Sequence, residues 1–299
     1  MNQASLIVNT LASAAGYSLF ALAVVLAYRS SRILLFCVGE IGILAAYVLL
    51  QVWTALAAPL GYVPGLIAGL LAATAVSAVV GLLLHLVLGR LDEKASPFVG
   101  TAVTIAFSVA LLGVMTIAWQ GEIARLPVPD RALSLAWLLP QPASVSALAL
   151  GVALAGGLLC GLLLLAFYRS HYGIELQALA SNRALAQLRG IPVRRRLAGV
   201  WIACAVISGW AGIFCAALAA VSTEGAAVGF SGIVAAIIGG LTSPGGALIG
   251  ALLLATGENL TGLFFDARYS VVVPVLLLVL LLAVRPSGLS ARVESILRT

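Results

Sequence analysis

The sequence predicts an all-α polytopic membrane protein of about 8–10 transmembrane helices, some of them broken or short, with its N-terminus out and its C-terminus in. Three observations predict it. First, 63% of the 299 residues are hydrophobic and only 9% are charged, and the mean hydropathy is +1.17. A soluble domain carries about 25% charged residues to cover its surface, so a soluble globular enzyme is excluded, and so is a polar, disordered chain. Second, the apolar residues come in uninterrupted runs of about 20, the length that crosses a bilayer core. They do not alternate with polar residues as the strands of a membrane barrel do. Third, the cations fall on one side of those runs. The whole chain, 1–299, reads as a single transmembrane domain.

The runs are 5–28, 33–56, 62–88, 97–119, 145–168, 197–221, 225–242, 245–264 and 269–284. Two are irregular. Run 33–56 carries Gly39, Glu40 and Gly42, and run 225–242 is short, rich in glycine and ends at Thr242-Ser243-Pro244-Gly245-Gly246. Interrupted spans of this kind mark transport sites in many carriers. Nine runs divide as four, one and four, which is the arithmetic of an inverted repeat, although no residue-level identity links the halves. When segment 169–196 is placed in the cytoplasm, 13 of the 16 Lys and Arg residues lie inside. Only Arg125, Arg131 and Arg268 lie outside. That asymmetry sets the orientation and accounts for the net charge of +6 without nucleic acid.

The loop 120–144 lies outside and contains Pro127, Pro129, Pro140 and Pro142, so it is not one helix. Leu133–Leu139 with Trp137 reads as a short interfacial segment. The loop either receives a partner or lies on the membrane as a connector. The start, Met1-Asn2-Gln3, has no basic region before the first run, so no cleaved signal peptide is expected. Cys37, Cys160, Cys204 and Cys215 all sit in apolar runs without a CxxC pair. They read as buried apolar thiols, not as a metal or disulfide framework.

Few polar side chains enter the runs. Glu40 is expected to face a cavity, a partner or the cytoplasmic surface, because a carboxylate in hydrocarbon is costly. It either walls a translocation path or supports a helix break. Glu258, beside Asn259 and Thr261, either lines that path or caps a helix end. Glu224 after Ser222-Thr223 fits a helix N-terminus. His85 among leucines reads as a satisfied core or interface histidine. No chain of ionisable groups crosses the membrane, which argues against a proton pump.

Within 169–196, Asn182 is a good N-cap and Gly190 a good residue to follow a helix. The short helix between them puts Leu185 and Leu188 on one face, with Arg183 and Gln187 elsewhere. Its apolar stripe lies either on lipid or in the groove of a cytoplasmic partner. No GxxxxGK[ST] sequence occurs, and Lys94, the only lysine, has no glycine around it. The chain therefore has no P-loop for ATP. It also lacks an arginine ladder and a TVGYG-like filter.

These residues, in order along nearly the whole chain, resemble the permeases of the branched-chain amino-acid ABC importer family, the LivH/LivM type. Val8-Asn9 and Tyr17-Ser-Leu-Phe-Ala-Leu resemble the family's first span, and Phe36-Cys-Val-Gly39-Glu40 occupies the place of its NFAHG(E/D) element. Gly173, Gln177-Ala178, Asn182, Ala186, Leu188 and Gly190-Ile191 follow its cytoplasmic loop. Gly239-Gly240-Leu241 through Gly250 resembles its GGxGSxxGAxxG element, and Arg285-Pro286-Ser-Gly288-Leu289 its closing RPxGL.

The resemblance implies a multi-pass permease of the bacterial inner membrane, not an enzyme. It implies a second permease subunit, two cytoplasmic ATPases that bind the ATP and Mg, a periplasmic substrate-binding protein and membrane lipid as partners. No cofactor is implied in this chain. Phe36, Val38, Gly39, Glu40, Phe230 and Glu258 are the implied candidates for the substrate path. Asn182, Arg183, Leu185, Ala186, Leu188, Arg189 and Gly190 are the candidates for ATPase coupling. The sequence departs from the family pattern at Leu35 and Val38, where the family has Asn and His, and at Gln177 in place of Arg. Losing two polar groups suits a more apolar or bulkier solute. A sugar or nucleoside permease of the same superfamily, and an autonomous channel or secondary carrier, remain the alternative readings.

Overall fold

The computed structural model describes residues 3–90, 97–130, 132–134, 144–181, 183–190, 192–284 and Leu289. It is helical almost throughout. The helices before the long external loop are α1 (Gln3–Ser31), α2 (Val38–Leu60), α3 (Tyr62–Leu88) and α4 (Pro97–Trp119). After it come α5 (Ala147–Arg169), α6 (His171–Ser181), α7 (Arg183–Leu188), α8 (Val193–Leu218), α9 (Ala227–Gly239), α10 (Pro244–Phe264) and α11 (Val273–Val284). A small hairpin precedes α5, pairing β1 (Ala132–Ser134) antiparallel to β2 (Ser144–Ser146).

Among the described residues, seven helices are long and apolar enough to cross a membrane: α1–α5, α8 and α10. Two shorter apolar stretches, Thr223–Gly239 and Arg268–Val284, account for the remaining runs. The chain is a multi-pass membrane protein. The run 225–242 falls short because a 3-10 turn at Thr223–Ala226 precedes α9, and Gly240 ends it at φ +102°. Thr242-Ser243-Pro244 is the start of the next helix: Pro244 opens α10 and the Ser243 hydroxyl accepts from the Gly246 amide at 3.1 Å.

The run 33–56 also differs from its expected form. The helix is not interrupted at Gly39; it starts at Val38, after an extended stretch at 33–36. The polar backbone of that stretch is held by α4. The Leu34 amide donates to Thr101 Oγ1 at 3.2 Å, the Thr104 hydroxyl donates to the Leu34 carbonyl at 2.8 Å, and the Phe36 amide reaches Thr104 Oγ1 at 3.4 Å. Non-helical backbone inside a membrane persists only when it is satisfied in this way.

One end of the bundle is rich in arginine. Arg29 at the end of α1 donates to the Thr242 carbonyl at 3.0 Å and stacks on Phe167 at the end of α5. His85 at the end of α3 shares a cleft with Arg194 and Arg195 at the start of α8. At the opposite end, Ala124 pairs with Val221, and the Tyr62 hydroxyl donates to the Pro127 carbonyl at 3.2 Å. Helices α1 and α8 therefore run in opposite directions.

Their neighbours are reciprocal. α1 packs on α9 and α10 as α8 packs on α2 and α3, and α4 sits on α2 and α3 as α11 sits on α9 and α10. The four-one-four division is a packing pattern as well as a count. α1 and α8 are the most enclosed spans, with Leu19, Phe20, Val24 and Val25 of α1 almost inaccessible. The faces of α3, α4 and α5 carry exposed leucine, valine and isoleucine. In a membrane protein that surface is presented to lipid or to another subunit.

Candidate functional site

Two helices, the long α2 and the short α9, begin inside the bundle and meet there. α2 starts at Val38 after coming up from the arginine-rich end, and α9 starts at Ala227 after coming down from the opposite end. The approach is backbone to backbone. A Cβ on Gly39 would strike the Ala226 carbonyl and come within 3.1 Å of Gly229 Cα, and one on Gly229 would strike Gly39 itself. One turn further, Gly42 lies against Gly212 of α8 and Phe20 of α1. Only glycine permits this approach. The glycine-rich starts of the two irregular runs thus become one contact.

Glu40 lies in the first turn of α2. One of its carboxylate oxygens, Oε2, is buried and has no hydrogen-bond partner among the described residues. A charged group at that position is favoured by the positive end of the helix, but its free oxygen still lacks a donor. Glu40 is partly exposed at the start of α2, beside the α2–α9 contact.

Glu258 of α10 is fully engaged. The Tyr17 hydroxyl of α1 donates to Oε2 at 2.5 Å, and the Ser231 hydroxyl of α9 donates to Oε1 at 3.2 Å. The carboxylate ties three helices together, and one of them is the short α9 that touches Gly39. Glu258 lies about 21 Å along α10 from Pro244, so the helix does not end there.

The other path candidates separate. Val38 is inaccessible and Gly39 is buried, Phe36 is half-buried, and Phe230 is 43% exposed. Phe230 and Glu40 therefore approach the protein's outer face around the α2–α9 contact, while Val38 fills the core. Glu224 fits the helix-start reading, because the Ser222 hydroxyl accepts from the Gly225 amide at 3.2 Å.

The segment after α5 is two helices, not one. α6 is fixed to its neighbours. Arg196 forms an ion pair with Glu175 and lies over the Tyr172 ring at 4.3 Å, and Gln177 donates to the Phe167 carbonyl at 3.0 Å. α7 is seated through Ala186, which packs with Leu179, Val193 and Leu197. Leu185 and Leu188 point away from that seat and are 55% and 85% exposed. Arg189 is exposed, and Gly190 turns the chain at φ +80° as a residue following a helix does. Asn182 lies outside the described residues, and Arg183 opens α7.

Tyr17, Ser231, Thr101 and Thr104 are site or scaffold residues that the run-by-run reading did not single out. The available signal was a hydroxyl inside an apolar run, which needs a partner there. At the C-terminal side, the Leu289 amide donates to the Ile238 carbonyl at 3.0 Å, so the end of the RPxGL-like motif is tied to α9.

The family model described as the branched-chain amino acid transport system permease component matches residues 6–282. The high-affinity branched-chain amino acid transport system permease protein LivH of Salmonella typhimurium is 32% identical over 127 residues, 42% of this chain and 41% of that protein. The protein of the same name from Escherichia coli K12 matches to the same extent. The aligned part thus spans about two fifths of the length of these relatives. The probable branched-chain amino acid transport permease protein LivH of Methanocaldococcus jannaschii is 28% identical over 285 residues, 91% of this chain and 87% of that protein.

Proposed function

Because the chain belongs to the branched-chain amino acid transport system permease family, we propose that it is the transmembrane permease subunit of an ABC importer in the inner membrane. Its solute is a branched-chain amino acid or a related small organic solute. Two cytoplasmic ATPases bind the ATP and Mg and supply the energy, since the sequence has no P-loop. A second permease subunit, identical or homologous, and a periplasmic binding protein complete the assembly. The arginine-rich end faces the cytoplasm, the side that the positive-inside rule favours.

The observation that carries the mechanism is the meeting of α2 and α9 at Gly39 and Gly229, with Glu40 beside it. The interior of this chain is filled by Phe20, Leu35, Val38 and Ile41, so the solute passes along the face where Glu40 and Phe230 come out, against the second permease. Leu35 and Val38, which stand in place of polar groups, are buried behind that face. ATP-driven closure of the ATPase pair acts through α7. Leu185 and Leu188 enter a groove of the ATPase, and Ala186 passes the displacement to α8, whose far end leads to α9.

The test is copurification. Leu185→Asp with Leu188→Asp is expected to abolish ATPase capture and uptake while leaving the bundle intact by circular dichroism. Full ATPase capture by that variant would remove α7 from the coupling role.

A further inference from the structure

At the arginine-rich end, His85 of α3 and Pro192, Val193, Arg194, Arg195 and Ala198 at the start of α8 line an open cleft of about 530 Å³. That volume is within the range of small-molecule sites, roughly 300–1,000 Å³. The cleft opens at the start of α8, where Val193 also packs with Ala186 of α7. Arg196 is turned toward α6, where Glu175 and Tyr172 hold it. Arg194 and Arg195 are exposed, line the cleft with His85, and form no ion pair with a carboxylate among the described residues. Leu82, three residues before His85 on α3, is exposed, and with Val79 and Leu86 it forms an apolar stripe spaced by three and four residues on the adjoining helix face.

Two cations and an imidazole thus meet a lipid-facing apolar strip at the level where the hydrophobic span ends. A soluble anion would use the cations alone. An acidic protein surface would likewise use the cations and leave the apolar stripe of α3 unused. A molecule with an anionic head and an apolar tail uses every part of this surface.

We propose that the cleft binds the phosphate headgroup of an anionic membrane phospholipid, with its acyl chain along Val79, Leu82 and Leu86. Arg194 and Arg195 neutralise the phosphate and His85 hydrogen-bonds to it.

The test is native mass spectrometry of the full-length chain released from nanodiscs, with phosphatidylglycerol and phosphatidylcholine of identical acyl chains as probes. A retained phosphatidylglycerol adduct is expected, weakened about tenfold or more by Arg194→Gln with Arg195→Gln. Ala198→Trp, which fills the cleft and leaves the charges, is expected to weaken it as well. Arg32→Gln at the same end is expected to leave it unchanged. Equal retention of phosphatidylcholine, an equal effect of Arg32→Gln, or no effect of the Arg194/Arg195 and Ala198 variants would overturn the proposal. Displacement by millimolar inorganic phosphate as effective as that by phosphatidylglycerol would overturn the lipid assignment. None of these readouts depends on transport, so the proposal stands or falls independently of the permease reading.

Discussion

Thr104→Val tests how the extended stretch before α2 is tolerated inside the membrane. The substitution keeps the shape of the side chain and removes its hydroxyl. Thr104 is fully buried, and its hydroxyl lies 2.8 Å from both the Leu34 and Thr101 carbonyls and accepts at 3.4 Å from the Phe36 amide. The Thr101 carbonyl belongs to α4's own helical pattern, so its loss is small. The Leu34 carbonyl and the Phe36 amide have no helix to fall back on. An unsatisfied buried backbone group costs about 1–3 kcal/mol. The 3.4 Å contact contributes the least, and hydrogen bonds within membranes average about 0.6 kcal/mol with a maximum near 1.7. The net expectation is a loss of about 1–2 kcal/mol, read as a fall of a few degrees in the thermal transition of the purified protein in detergent. Thr104→Ser should restore most of it, and Thr101→Val, which loses the 3.2 Å acceptor for the Leu34 amide, should cost less. A Thr104→Val protein that melts with the wild type would refute the idea that α4 hydroxyls hold the unwound segment.

Glu40→Ala is expected to lower uptake by tenfold or more while the subunit still assembles with its partners, because Glu40 has a buried carboxylate oxygen that makes no structural hydrogen bond among the described residues; proteoliposome uptake beside a pull-down measures both, and normal uptake would reduce Glu40 to scaffolding. Tyr17→Phe removes the 2.5 Å bond to Glu258 and should destabilise by about 1.5–3 kcal/mol, the range for bonds to charged groups. A double-mutant cycle with Glu258→Gln should then show coupling of at least about 0.5 kcal/mol, and additive effects would mean that the pair does not fix α1 to α10.

The class of protein was legible because it follows from composition and run length, and a bilayer leaves few alternatives to helices. Seven of the nine runs became full-length helices, run 33–56 among them, and runs 225–242 and 269–284 became shorter ones. Run 225–242 is short, as read, but the form of run 33–56 was misread. Gly39 and Glu40 read locally as an interruption, since a glycine followed by an acid in an apolar run signals one. The break instead falls at 33–36, whose residues Ile33, Leu34, Leu35 and Phe36 look like ordinary span. It is made possible by hydroxyls nearly 70 positions away on α4. Glu258 was equally ambiguous from its neighbours in sequence, because both of its partners, Tyr17 and Ser231, come from other helices. In segment 169–196 the stripe Leu185/Leu188 and the turn at Gly190 were local features and were readable. That Ala186, and not a leucine, provides the seat depended on Val193 and Leu197.

By itself the sequence determined that the chain crosses a membrane many times, that its cations gather at one end of the apolar runs, and that it contains no GxxxxGK[ST] sequence. Each of these depends on residue type and on neighbours within one helix or loop. The tertiary structure alone decided that α2 and α9 meet glycine to glycine at their starts, that Glu258 is occupied and Glu40 has an oxygen to spare, and which arginines face α6 or the α3 cleft. Those outcomes depend on which groups from distant helices come within hydrogen-bonding or van der Waals distance, and no periodicity along one chain encodes that.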